Sequence, residues 1–203
     1  MIINKKIIDK ILDNPDLENH IKTYLEINNS KTALKRSDLF CKFYKLRPGT
    51  TKLSKEDFEI FKKAYFGILD KYNTKPNTEF KVILQEVDSA RNKLKNENEN
   101  DRKEISFSSK LLHTINNKKP IWDKHLISLY NFNLNNDHKD WTEDDCCSAY
   151  KEYCDKYKDF MSTDIANYII EKFNEKYSKY KDQIIDIKKV DFVLWLNRRP
   201  SDD

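Results

Sequence analysis

Phe58, Phe61, Tyr65, Ile68, Leu69 and Tyr72 recur three and four residues apart. That spacing lines one face of an α-helix and cannot line one face of a strand. The same period runs through most of the chain: Ile3, Ile7, Ile8 and Ile11; Leu17, Ile21, Tyr24 and Leu25; Leu39, Phe40, Phe43 and Tyr44; Phe80, Ile83, Leu84, Val87 and Leu94. It continues through Tyr150, Tyr153, Cys154, Tyr157 and Phe160, then Ile165, Ile169, Phe173 and Tyr177. No two-residue alternation of strand type and no repeat of fixed period is visible. The expectation is an all-α fold, a compact multi-helix globular domain of about eight to ten helices.

The punctuation agrees with that period. Asn14-Pro15-Asp16 restarts a helix, and Arg47-Pro48-Gly49-Thr50 reads as a turn. Ser54 with Asp57, and Thr142 with Asp145, resemble capping boxes, and Ser162 is read as opening the next helix. The polar stretch Asn96 to Glu104 reads as a surface loop. The helices at 142–160 and 162–177 are expected to pack as an antiparallel pair. The segment Ile184 to Leu196 is apolar nearly all round and reads as a buried helix closing the core, with Trp195 inside.

At 203 residues the chain can bury a substantial core, and it reads as one helical domain, 1–203, or as two small lobes, 1–100 and 101–203. Hydrophobic residues make up 38% and charged residues 35%, so the apolar positions suffice for a core only because they recur in stripes. The formal net charge of +4 permits contact with phosphate backbones without demanding it. No signal-peptide pattern and no apolar run of membrane-spanning length is seen, which makes the cytoplasm the expected location and a membrane an unexpected partner.

Several chemistries are excluded. With only Gly49 and Gly67 available, a Gly-rich phosphate loop, a dinucleotide fingerprint or a G-x-S-x-G elbow cannot be built, so no nucleotide cofactor is expected. His20, His113, His125 and His138 are scattered, and Cys41, Cys146, Cys147 and Cys154 form no C-x-x-C pair, so no metal site and no disulfide framework is expected. Cys146 and Cys147 read as packing residues.

One stretch carries chemistry: Ser106-Phe-Ser-Ser-Lys110-Leu-Leu-His113, followed by Pro120-Ile-Trp122-Asp123-Lys124-His125-Leu126. Lys110 lies near the start of one short helix and Asp123 at the start of the next. If the turn between them folds back, an amine and a carboxylate converge beside two positive helix ends, which attract phosphate. Taken alone, Asp123 is also explained as an N-cap, and His113 and His125 as packing or phosphate-contacting residues.

These residues resemble the helix-hairpin-helix DNA glycosylase superfamily, in particular the bacterial proteins with the 8-oxoguanine DNA glycosylase fold. In that superfamily a lysine follows the hairpin turn, and an aspartate follows in a Pro-Val-Asp-Thr-His-Val-like segment. Lys110 matches the lysine, and Pro120 to Leu126 matches the second element with one additional residue after proline. Ile187 to Trp195 is similar to the closing helix of the bacterial group. The resemblance implies DNA as partner and base excision as activity, with Lys110 as nucleophile at the sugar C1′ and Asp123 stabilising the cationic sugar. It further implies Phe107, Trp122 and Trp141 as base-stacking residues, and Ser108, Ser109, Lys124 and His125 as contacts to the DNA backbone. Arg198 and Arg199 could touch phosphate or form a charged fringe. The superfamily's glycine turn is replaced here by Ile105-Ser-Phe-Ser-Ser109, and the Lys110 to Asp123 separation is shorter than in well-known members. The departure keeps a second reading open: a catalytically silent helical module that binds nucleic acid or a protein, for example in defence against foreign DNA.

Overall fold

A computed structural model describes residues 3–30, 33–95, 101, 103–123, 126–127 and 141–197. Every regular element among them is helical. The α-helices are α1 (Lys5–Leu12), α2 (Pro15–Asn29), α3 (Ala33–Phe43), α4 (Pro48–Thr51), α5 (Lys55–Tyr72), α6 (Phe80–Asn92), α7 (Ile105–Ile115), α8 (Glu143–Met161), α9 (Asp164–Lys176) and α10 (Asp186–Leu196). A single 3-10 turn, Ser178–Tyr180, links the last two. No described helix is long and apolar enough to cross a membrane.

The caps that open these helices are local side-chain bonds. Asn4 Oδ1 accepts from the Ile7 amide at 3.0 Å, and Asn14 Oδ1 from the Asp16 amide at 2.9 Å with Pro15 as first helical residue. Ser54 Oγ accepts from the Asp57 amide at 3.0 Å, while Thr142 and Asp145 bond reciprocally. Each replaces a partner that a helix N-terminus otherwise lacks. The cap before α9 is Thr163 rather than Ser162, because the Thr163 hydroxyl is the one that reaches the Ala166 amide. Around Pro48 the expected turn is a full helical turn, with Lys45 and Lys52 on either side in left-handed conformations at φ 56° and 57°.

The helices fall into two packing groups. In one, α10 packs on α9, α2 and α1, while α1 also packs on α9 and α2 on α3. In the other, α5 packs on α6, and α6 on α7 and α8. The expected pairing of α8 with α9 is minor beside the packing of α9 on α10 and α1. Its cause is the α9 stripe, whose Phe173 faces Phe192 of α10 and whose following residue, Tyr177, donates to the Leu12 carbonyl at 2.8 Å. The groups meet where α3 packs on α5 through Phe40 against Tyr65 and Phe66, and also where His113 of α7 nears Tyr24 of α2 and Tyr157 of α8 bonds Asp191 of α10.

Two expectations about burial are corrected. Glu104, placed in a surface loop by the sequence, is inside, because Arg91 of α6 is also inside and its Nε lies 3.8 Å from Glu104 Oε1. Trp195 is only partly buried and leans on His20, with ring centroids 5.0 Å apart. The positions on α10 that do go inside include Lys188, Lys189 and Asp191.

Candidate active site

Helix α7 is buried nearly all round, at Ile105, Phe107, Ser108, Ser109, Lys110, Leu111, Leu112, His113 and Ile115. A polar side chain in such a place costs free energy unless a partner replaces water. Ser109 finds two partners. Its hydroxyl donates to the Ser106 carbonyl at 2.9 Å and accepts from the Trp122 amide at 2.9 Å. The second bond ties the stretch before Asp123 to α7. Two phenols of α8 fix the same stretch: Tyr150 donates to the Pro120 carbonyl and Tyr153 to the Ile121 carbonyl, both at 2.8 Å. Asp123 is therefore held by three side chains acting on the backbone just before it, and its own carbonyl accepts from the Ile127 amide at 3.0 Å in a helical bond.

Lys110 sits in the middle of α7, not near its start as the sequence suggested, and its side chain runs back along its own helix. Its amine donates to Ser106 Oγ at 3.0 Å and lies 5.1 Å from the centre of the Phe107 ring. A neutral hydroxyl and one ring are weak compensation for an ammonium taken out of water. Burial accordingly lowers the Lys110 pKa from its ordinary value, with the carboxylates of Asp123 and Glu104 acting in the opposite sense. The structure thus brings Lys110 and Asp123 into one electrostatic neighbourhood.

His113 lies one turn further along. Its Nδ1 is 2.7 Å from the Lys119 carbonyl, and since a carbonyl can only accept, Nδ1 carries the proton and Nε2 presents a bare lone pair. Nε2 is buried and meets no hydrogen-bond donor among the described residues. Burial, and then the nearby Lys188 charge, hold the imidazole neutral, with its pKa lowered to about 3.

The other expected residues are placed as follows. Phe107 is buried beneath the Lys110 amine, and its carbonyl accepts from Tyr65 at 2.8 Å. Trp122 is 2% exposed, edge-on to both Trp141 and Tyr153, while Trp141 is half-buried beside it. Ser108 and Ser109 point inward with no exposed surface. Lys124, His125, His138, Arg198 and Arg199 lie outside the described residues.

Two participants were given no role by the sequence. Lys188 and Asp191 sit on α10 with Nζ and Oδ2 3.9 Å apart, and Tyr157 donates to Asp191 Oδ1 at 2.5 Å. Burial pushes the Asp191 carboxyl up to about 6, against the pull of Lys188 and Tyr157. Lys188 is lowered by burial and feels Asp191, Asp123 and Lys110. The signal that could have found them is a pair of opposite charges three residues apart inside a run that is otherwise Val190, Phe192, Val193 and Leu194.

No group of three His, Cys, Asp or Glu side chains among the described residues could hold a metal ion. Burial pushes the Cys146 thiol up to about 12 and Cys41 and Cys154 up to about 11, leaving each a poor nucleophile. The chain matches no family model, no curated protein and no solved structure.

Proposed function

We propose that the chain is a DNA base-excision glycosylase of the helix-hairpin-helix type, with Lys110 as nucleophile and Asp123 as its acid-base and electrostatic partner. The observation that carries the reading is the buried Lys110 amine, which among the described residues donates to a neutral hydroxyl and whose pKa burial lowers against the pull of the Asp123 carboxylate. An amine attacks carbon only after losing its proton, and a desolvated lysine does so nearer neutral pH than an exposed one.

In this scheme the Lys110 nitrogen forms a bond to the sugar C1′ as the glycosidic bond breaks and the departing base takes the bonding pair. Asp123 stabilises the cationic sugar. The sugar ring then opens, its ring oxygen gaining a proton, and the C1′–nitrogen bond becomes a Schiff base, from which a lyase step can follow. Trp122 and Trp141, in mutual edge contact, and Phe107 beneath the amine are the aromatic surfaces that would hold a flipped base in this scheme.

Borohydride reduction of the Schiff base supplies the test. Duplexes carrying different modified bases are incubated with the chain under reduction, with Lys110→Gln alongside. A covalent adduct that disappears in the variant supports the reading and identifies the base. Absence of adduct and of free base from every duplex, with both proteins folded, sinks it.

A second reading, a silent module that binds nucleic acid or a protein, is favoured by one observation. Phe107 and Trp122 are covered, and the two described surface grooves lie elsewhere. One groove, of about 520 Å³, runs between α5 and α6 beside Ile60 and Leu94, and the other between α1 and α9 beside Asp9 and Tyr168. That reading predicts salt-sensitive DNA binding, or binding of a protein, without any adduct.

A further inference from the structure

The outer face of α5 stands apart from the rest of the described surface. Ile60 is 56% exposed, the one large hydrophobic side chain so placed among the described residues. A single apolar residue in water needs no explanation. Ile60, however, borders the groove of about 520 Å³ between α5 and α6, whose lining includes the small side chains of Ala64, Ser89 and Ala90. Seven residues on, along the same face, Gly67 stands inside an 18-residue helix. Glycine is a poor helix former, and nothing inside the chain calls for it here. Its φ is not positive, and a methyl group in its place would meet no atom within 4 Å. What the missing side chain leaves open is close approach from outside.

Two rows with four-residue spacing run along this face: Glu56, Ile60 and Ala64, and beside them Lys63, Gly67 and Lys71. Turned end for end, the first row matches the second. Glu56 meets Lys71, Ile60 meets Gly67, and Ala64 meets the stem of Lys63. Lys71 has one carboxylate, Glu86, at 2.6 Å, and its side chain is exposed enough to accept another. A face that complements itself in the antiparallel sense satisfies a two-fold axis, across which every contact occurs twice.

We propose that this face is a homodimer interface. Helix α5 packs antiparallel on α5 of a second copy, about an axis between Lys63 and Ala64. Each Ile60 sits against the other copy's Gly67, and each Glu56 pairs with the other copy's Lys71. The isoleucines leave water, and the glycines receive them without displacing a side chain. The terminal ion pairs set the direction, because a parallel pairing would put Glu56 beside Glu56 and Lys71 beside Lys71. So small an apolar contact makes the association reversible, with a dissociation constant on the order of 100 µM. Tyr65, the α5 residue that bonds the Phe107 carbonyl of α7, lies on the inner face of the helix, so dimerisation is independent of the chemistry proposed for Lys110.

Sedimentation equilibrium of the full chain, from about 5 µM to about 1 mM at low salt, reads the association. The expected mass rises from one chain towards two. Ile60→Lys and Gly67→Leu should each weaken association by about tenfold or more, with helix content by circular dichroism unaltered. Both positions are exposed, and leucine is the better helix former, so the variants keep the fold. Carbodiimide coupling of mixed isotopically heavy and light chains then reads the register: Glu56 of one should join Lys71 of the other, with the Glu86–Lys71 link inside one chain as control. A chain that stays monomeric to about 1 mM overturns the proposal. So does a dimer that neither substitution weakens, or one whose mixed-isotope links lie elsewhere.

Discussion

Arg91 and Lys110 are both cations deep inside the chain, yet their surroundings differ in kind. Around Arg91, Glu104 Oε1 lies 3.8 Å from Nε, and Nη2 donates to the Thr51 carbonyl at 3.2 Å. Beside it, Asp88 accepts from the Glu104 amide at 2.7 Å and has Lys103 at 3.6 Å. Each cation there has a carboxylate within ion-pair reach, and the group ties α4, α6 and the entrance to α7 together. Around Lys110, among the described residues, the hydrogen-bond partner is a neutral hydroxyl at 3.0 Å in place of a carboxylate. A charge group that holds a fold together is matched pair by pair, whereas one that leaves an amine under-compensated gives up stability and keeps reactivity.

That contrast is broken or sharpened by four measurements. Arg91→Met should cost the most, about 3–5 kcal/mol in a urea unfolding series, because Glu104 is left charged and buried without its partner. A loss below about 1 kcal/mol would remove the claim that this group is structural.

The next effect is one of pH. Free histidine takes up a proton near 6.5, and folded His113 only near 3. The unfolded chain therefore binds the proton first, so the contribution of His113 is full above 6.5 and is lost as pH falls from 6.5 towards 3. The carboxyls of Asp88 and Asp191, raised from 3.8 to about 6, act oppositely: their contribution is full below 3.8 and is lost as pH rises through 6. His113→Gln should remove a loss on the order of 1 kcal/mol per pH unit from the acid limb. An unaltered slope would place His113 in contact with water.

Tyr157→Phe should cost about 1–3 kcal/mol, since it removes the hydrogen bond that the buried Asp191 Oδ1 accepts. The smallest change is expected at the candidate nucleophile itself. Lys110→Met exchanges a buried amine for an apolar chain of similar length, so stability should hold or improve by about 1 kcal/mol. A loss as large as that of Arg91→Met would make the two regions alike and recast Lys110 as structural.

The sequence carried the helices well because their stripes and caps are local. Ser54 to Asp57 and Thr142 to Asp145 act within one turn, so a reader of the chain sees both partners. That Lys110 and Asp123 share a site was an expectation of the sequence, and the bonds that hold the backbone before Asp123 were not legible in it. Ser109 meets Trp122 across 13 residues and Tyr153 meets Ile121 across 32, and neither bond has a signature at short range. Lys188 and Asp191 were hidden for another reason: charges three apart on a helix ordinarily mark a solvated face. Here the rings that enclose them come from Tyr24, Phe43 and Tyr44, more than a hundred residues earlier. Glu104 was misplaced similarly, since nothing beside it announces Arg91.

The buried phenols have a spectroscopic consequence. Burial lifts Tyr44, Tyr65, Tyr150 and Tyr153 well above the ordinary phenol range and Tyr24 to about 12. Made alkaline and watched in the near ultraviolet, the native chain would ionise its outer tyrosines gradually and withhold these five. Their absorbance would arrive as one late step when the interior opens, so the chain carries its own optical gauge of global unfolding, with no dye or label added.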